Sequence, residues 1–242
     1  MTGAGNGRLG GHLARRLAER GARVALHFAS SEEGALREVA AIEAAGGAAI
    51  AVQADLTDPD GAAALAGRVR SRWGGFNVLI NSAAIFRRLD LAATTAAEWD
   101  AHFALNLRAP FLLARIMQND LPPDAAGKVI NIGDWHTANP THFPYGVAKA
   151  ALSGLTRSLA VAMAPRVQVN ELALGAILAP AGGVERGDPS QWHGRHPEHI
   201  AQQRLVKRLG HSDEVGAAML ALIENDYITG QTLNITGGVD VW

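Results

Sequence analysis

Thr2-Gly3-Ala4-Gly5-Asn6-Gly7-Arg8-Leu9-Gly10 is the stretch on which the reading of the fold turns. It leads into a helical pattern with Leu9, Leu13 and Leu17 on one face. Glycines at such a place let backbone N–H groups close on an anion, and the helix dipole favours negative charge there. A glycine-rich loop alone is weak evidence. It gains weight when it opens the first helix of a chain in which strands and helices alternate, the usual place for a pyrophosphate.

That alternation is present. Short β-branched runs predict strands over 23–28, 48–53, 77–81, 128–132, 167–174 and 232–236. Apolar periodicity predicts helices over 8–20, 31–45, 59–72, 95–119, 145–164 and 212–224. Gly21 and the pair Gly46-Gly47 follow their helices as C-terminal caps do. Thr57 with Asp60, and Thr95 with Glu98, have the spacing of N-terminal capping pairs. Strands this uniformly apolar imply an α/β fold whose doubly wound parallel sheet is covered on both faces. At 242 residues, without repeats or a low-complexity linker, the chain reads as one domain over 1–242. The irregular stretch 175–204, rich in Gly, Pro and His, is expected to be a substrate lid, with a surface excursion as the alternative.

The expected first strand is missing. A doubly wound sheet places a central strand before the glycine loop, and only Met1 precedes it here. Losing that strand would leave a gap of about two strand spacings, roughly 10 Å. A start several residues upstream, or a truncated product, is the expectation.

Composition narrows the function classes. A net charge of −1 with 19% charged residues offers no polyanion-binding surface. No apolar run is long enough to span a bilayer; 172–184 comes nearest and contains glycines and a proline. No apolar signal core precedes the first arginine, so a cytoplasmic location is expected. With no cysteine, thiolate chemistry and cysteine-ligated metal are excluded. His193, His196 and His199 are interrupted by Pro197 and no aspartate or cysteine completes a metal set, so no metal site is expected.

Tyr145-Gly-Val-Ala-Lys149 carries the chemistry. Four residues apart on a helix, a phenol and an ammonium share one face. A nearby ammonium favours phenolate and is expected to lower the tyrosine pKa toward working pH, making it a usable proton donor. After the strand over 23–28, His27-Phe-Ala-Ser-Ser31 offers no carboxylate to hold a ribose 2′-hydroxyl. Ser30, Ser31 and Arg8 could instead donate to a 2′-phosphate, so NADP is expected in preference to NAD. A plain helix-capping role for either serine is compatible with this.

Together, Thr2-Gly3…Gly10, Asp55-Leu56, Asn81-Ser-Ala-Ala84, Asn106, Asn131-Ile-Gly-Asp134, Tyr145…Lys149, Val169-Asn170 and Ile228-Thr-Gly230…Gly237-Gly238 resemble the classical short-chain dehydrogenase/reductases over essentially the whole chain. The resemblance implies a Rossmann-type fold and a cofactor site including Gly3, Gly7, Arg8, Leu9, Gly175 and Ile177. It implies that Asp55 and Leu56 hold the adenine and that Asn81, Ser82 and Ala83 line the cofactor cleft. It makes Tyr145 the proton donor, Lys149 its partner and ribose ligand, and Asn106 the anchor of a water in the proton relay. A homo-oligomer, a dimer or tetramer, is expected on the same ground, with Trp242 near a subunit interface.

Three departures stand out. The glycine loop carries one residue more than the common pattern and has Arg8-Leu9-Gly10, Asp134 occupies the position of the catalytic serine, and Leu174-Gly175 replaces Pro-Gly. The first two, with Phe86 five residues after Asn81, look like the pteridine reductases and dihydromonapterin reductases. In that subgroup the phenylalanine stacks on the pterin and the aspartate bonds its ring. Chemistry supports the distinction, because an ionised carboxylate repels the oxyanion growing on a ketone but accepts the N–H donors of a 2-amino-4-oxo heterocycle. The expected activity is therefore NADPH-dependent pterin or dihydropterin reduction, with Phe86, Asp134 and Trp135 on the substrate and Trp192 closing from the lid. The alternatives are a carbonyl reductase of 3-oxoacyl thioesters or small ketones, in which Asp134 is a permissive substitution or points away from the pocket, and a catalytically silent NADP-binding sensor.

Overall fold

The computed structural model describes residues 1–5, 9–178 and 197–241. The helix α1 (Leu9–Ala18) leads to β1 (Arg23–Phe28), α2 (Glu32–Ala44) to β2 (Ala48–Gln53), and α3 (Gly61–Trp73) to β3 (Val78–Asn81). Next come α4 (Ala96–Phe103), a π-helical turn (Ala104–Arg108), α5 (Ala109–Asp120), β4 (Gly127–Asp134), α6 (Phe143–Met163) and β5 (Val167–Leu174). The short strands β6 (Ile177–Leu178) and β7 (Gly210–His211) pair with each other, α7 (Pro197–Gln202) lies between them in sequence, and α8 (Ser212–Glu224) and β8 (Thr232–Ile235) follow.

Every strand pairing is parallel. Alternate residues of the strands serve two cores. Ile80, Ile130, Ile132 and Leu172 pack with residues of α1, α2 and α8, whereas Leu79, Val129 and Val169 pack with residues of α3, α5 and α6. Helices on both faces explain why the strands carry few polar residues. The fold is the expected doubly wound α/β arrangement.

The sheet is interrupted where the first strand was missed. β1 pairs only with β2, and a separate sheet runs β3-β4-β5-β8. Residues 1–4 bridge the two at one end. Met1 O accepts from His27 N–H and Ala4 N–H donates to His27 O, both at 2.9 Å, while Thr2 N–H donates to Ile80 O at 3.0 Å. The Met1 amino group donates to Ala25 O at 3.1 Å, and burial pushes it down to about 5. Beside Met1 a cavity of about 170 Å³ remains between β1 and β3, lined by Leu17, Val24, Ala25, Val69, Val78 and Leu113 among others.

Two local expectations need correction. The single helix expected over 95–119 is broken by the π turn, whose extra residue per turn aims Asn106 at the segment after β3. Thr57 does not cap α3: its N–H and hydroxyl both bond Asp55 Oδ1, and Asp60 stands at the N-cap without a side-chain bond. Thr95 does cap α4, accepting Glu98 N–H at 3.2 Å.

A chain extended at Met1 by a Val/Ile-rich leader should melt several degrees higher than one extended by a Gly/Ser leader. Val and Ile side chains of the leader would cover the apolar walls of the cavity, which Gly and Ser cannot. Equal melting temperatures in calorimetry would show that the cavity does not accept a strand.

Candidate active site

The glycine loop, the ends of β1 and β3 and the end of β4 converge on one side of the sheet, the side where open α/β sheets bind ligands. Gly3 has a φ of 68°, and a Cβ there would meet Ala83 Cα at 2.7 Å and Ala83 N at 2.8 Å. Thr2 Oγ1 accepts from Ser82 N–H at 3.0 Å and Ala83 N–H at 3.1 Å. Gly3, Ser82 and Ala83 are thus brought together as predicted, by a threonine hydroxyl the sequence did not single out. Leu9 begins α1. Gly7 and Arg8 lie outside the described residues, as do Trp192, His193, His196 and Trp242.

His27 clasps this loop from β1. Its Nδ1 accepts from Gly3 N–H at 3.2 Å, and its Nε2 lies 3.0 Å from Ala54 O. One neutral tautomer satisfies both bonds, with Nε2–H donating to the carbonyl. Burial, chiefly, pushes His27 down to about 4, which keeps it in that form. Ser31 stands at the N-cap of α2 but makes no side-chain capping bond, and Ser30 is exposed in the turn before it. Asp55 is exposed and its Oδ1 anchors Thr57, while the Leu56 side chain is buried in the core, so only its backbone can serve a nucleotide.

Asn81 is buried, and its Oδ1 has no hydrogen-bond partner among the described residues. Its Nδ2 donates to Asn131 Oδ1 at 2.8 Å, and Asn131 donates to Thr156 Oγ1 at 2.9 Å, tying β3, β4 and α6 together inside the protein. Asn106 likewise spends its amide on structure, accepting from Ile85 N–H at 3.0 Å and donating to Ile85 O at 3.1 Å. It holds the segment that carries Phe86. Gly175 follows β5 and donates its N–H to Ile235 O at 2.9 Å; a Cβ on it would meet Thr236 Cα at the same distance. Ile177 pairs with Gly210 just beyond.

The reactive groups lie where β4 meets α6. The Tyr145 hydroxyl donates to Asp134 Oδ2 at 2.9 Å, and Asp134 Oδ1 accepts from His136 N–H at 2.8 Å. The aspartate therefore points at the tyrosine. Lys149 Nζ donates to Ile132 O at 2.6 Å and sits 5.8 Å from the centre of the Tyr145 ring.

The expected lowering of the tyrosine pKa is overturned. Tyr145 is pushed well above the ordinary phenol range, first by burial and then by the charge and hydrogen bond of Asp134. The carboxylate is the nearer partner, and it accepts the phenol proton that phenolate formation would release. Burial also raises Asp134, against the pull of its hydrogen bonds and Lys149. Lys149 is lowered to about 8 by burial, which Asp134 and Glu171 oppose.

Phe86 is 49% exposed and is not core. It stacks on His142 at 4.2 Å between centroids and 8° between planes, and meets the Tyr145 ring edge-on at 4.6 Å. His142 was not picked out beforehand; nothing in Asn139-Pro-Thr-His142 marks it as an aromatic partner. Trp135 is half-buried and stacks on His136. His199 is exposed on α7, and among the described residues no three His, Asp or Glu side chains gather as metal ligands.

The sequence model described as enoyl-(acyl carrier protein) reductase matches residues 3–240. The chain is 33% identical to 3beta-hydroxysteroid dehydrogenase 1 of Eggerthella lenta, over 100% of this chain and 93% of that protein. It is 32% identical to the 3-oxoacyl-[acyl-carrier-protein] reductase FabG of Staphylococcus aureus, over 99% and 96%. Among solved structures, FolM alternative dihydrofolate reductase 1 from Brucella canis, complexed with NADP, superposes with a TM-score of 0.87 at 33% identity, covering 100% of this chain and 93% of that one. The chain belongs to the short-chain dehydrogenase/reductase family of oxidoreductases.

The His27 clasp gives a pH test. A histidine lowered from 6.5 to about 4 on folding binds its proton more readily in the unfolded chain, so stability should fall as pH drops from 6.5 toward 4. The loss should approach about 3 kcal/mol at most. His27→Asn, whose Oδ1 can accept the same Gly3 N–H, should flatten the slope in urea titrations below about pH 5, beneath the window of pH 8 to 5 in which the Met1 amine contributes with the same sign. An unchanged slope would show that the clasp does not titrate on unfolding.

Proposed function

We propose that this enzyme is an NADPH-dependent reductase of pterins or dihydropterins. The observation that carries the reading is the Tyr145–Asp134 hydrogen bond, which puts a carboxyl where ketone-reducing relatives are expected to have a serine. An ionised carboxylate opposes a growing oxyanion, but it accepts N–H donors, and once protonated it can supply a ring nitrogen. Burial has raised Asp134 in the direction that second role requires. The exposed Phe86 ring beside Tyr145 suits a flat heterocycle. The NADP-bound FolM structure, from a protein named as an alternative dihydrofolate reductase, supports the same assignment.

The cofactor reading rests on the cradle around Gly3, which a Cβ would fill, on the absence of a carboxylate among residues 27–31, and on the hydroxyls of Ser30 and Ser31. NADPH would lie along Gly3, Ser82, Ala83, Tyr145, Lys149 and Gly175, and would supply a hydride. The protein's own residues then do three things. Asp134 orients the heterocycle through its N–H groups. Tyr145 would pass its hydroxyl proton to the nitrogen of the reduced C=N bond while protonated Asp134 returns one to the tyrosine oxygen, leaving a neutral phenol and a carboxylate. Lys149 holds positive charge under the tyrosine, and Asn106 fixes the Phe86 wall through Ile85. The segment over 175–204, of which 179–196 lie outside the described residues, is assigned as the substrate lid from its sequence, and the working form is a homo-oligomer.

The second reading, reduction of 3-oxoacyl thioesters, is favoured by the likeness to FabG. The two separate by following NADPH absorbance with a dihydropterin and with an acetoacetyl thioester side by side. Turnover of the dihydropterin is expected. Thioester-only turnover would overturn the substrate assignment, and NADPH binding without either turnover would make the chain a silent binder.

Asp134→Ser should lower dihydropterin turnover by roughly 100-fold or more and raise thioester turnover, whereas Tyr145→Phe should lower both by at least about 100-fold. Full dihydropterin activity in Asp134→Ser would remove the carboxylate from the mechanism.

A further inference from the structure

Glu171 is an acidic residue in the middle of a strand that is otherwise apolar or amide-bearing, Val167–Leu174. It is fully buried. In the parallel register it stands opposite Asn131 of β4 on one side and Thr232 of β8 on the other, so its side chain shares the α6 face of the sheet with Asn131, whose amide bonds Thr156 of α6. Thr232 Oγ1 donates to Glu171 Oε2 at 2.8 Å. Oε1 has no hydrogen-bond partner among the described residues. It fills the space beside Gly133, where any Cβ would collide with it. Gly133 directly follows Ile132, the residue whose carbonyl holds Lys149 Nζ.

A buried carboxylate with one oxygen unpaired is costly unless a positive charge compensates it. The nearby cation is Lys149, itself buried and bonded to a single neutral carbonyl. The charged groups acting on Lys149 are Asp134 from the end of β4 and Glu171 from β5, with the Tyr145 hydroxyl facing it from α6. The other elements packed on α6 bring ionisable groups that are engaged elsewhere. His102 of α4 bonds Glu98 O, Glu98 pairs with Arg87, and Arg108 of the π turn donates to Thr57 O.

We propose that Glu171 is a positioning residue for the reaction: its carboxylate stands behind Lys149 as a second counter-ion, held in place by Thr232, and keeps the ammonium charged when Asp134 takes up a proton. The need for it follows from the proposed role of Asp134, and in that respect the inference rests on the pterin reading. A carboxyl that is protonated during the cycle cannot stabilise a cation throughout it. A carboxylate outside the pocket can.

The chain has three lysines, Lys128, Lys149 and Lys207, so 13Cε-lysine NMR of the intact protein follows Lys149 directly and without turnover. Its midpoint should lie at about 8 in the unaltered chain. Glu171→Gln should move it down by about one unit, since removing a nearby negative charge favours the neutral amine. Thr232→Val, at an exposed position, should move it down by less, and it decides the matter if Glu171→Gln does not fold. A midpoint that stays put in the folded variants overturns the proposal. With dihydropterin as substrate, the alkaline limb of kcat should shift to lower pH in step with the NMR midpoint. If no substrate turns over but the midpoint moves, the pterin reading fails and the Glu171–Lys149 coupling stands.

Discussion

The ammonium of Lys149 is the constraint around which this molecule is arranged. It is 3% exposed, and removing such a group from water costs several kcal/mol unless the protein replaces the lost hydration. The carbonyl of Ile132 supplies one bond, which fixes how far α6 slides along β4. With that register set, Tyr145, one turn earlier on α6, falls beside the last residue of β4. The carboxylate there adds to the compensation. Sheet, helix and reactive groups are therefore not separable: moving α6 by one turn would strand a buried charge and separate the phenol from its partner.

The second organising element is aromatic. Asn106 leaves the helical ladder at a π turn, clamps Ile85 at both its N–H and its carbonyl, and thereby fixes the next residue, Phe86. Phe86 lies flat on His142, itself just before α6, and touches Tyr145 edge-on. A defect in one helix thus sets the aromatic wall beside Tyr145. Such a wall is stiff, since each contact is fixed by a packed neighbour, and stiffness is what a site needs to hold a planar ring at a reacting distance.

Much of this was legible in the sequence, for identifiable reasons. The strands over 23–28, 48–53 and 167–174 are found with those limits, because short apolar runs buried on both faces admit few registers. The four-residue spacing of Tyr145 and Lys149 survived because helix geometry is local. What failed was non-local. The direction of the tyrosine shift depended first on burial and then on Asp134, eleven residues away across a loop whose path no pattern announces. The break at 104–108 was hidden because a π turn needs no special residue type. The His27 clasp and the Asn81–Asn131–Thr156 chain join residues distant in sequence. Glu171 did leave a trace, a carboxylate inside a buried strand, and such a residue in Val167–Leu174 asks for a cation nearby.

The hollow of about 170 Å³ beside Met1 has a further consequence for how the protein responds to compression. Unfolding eliminates whatever part of such a hollow water does not already fill, so the unfolded chain occupies less volume. Hydrostatic pressure should therefore act on this fold as a selective denaturant. The seam between β1 and β3 is bridged by only a few backbone contacts of residues 1–4, and it is where the two halves of the sheet should part first.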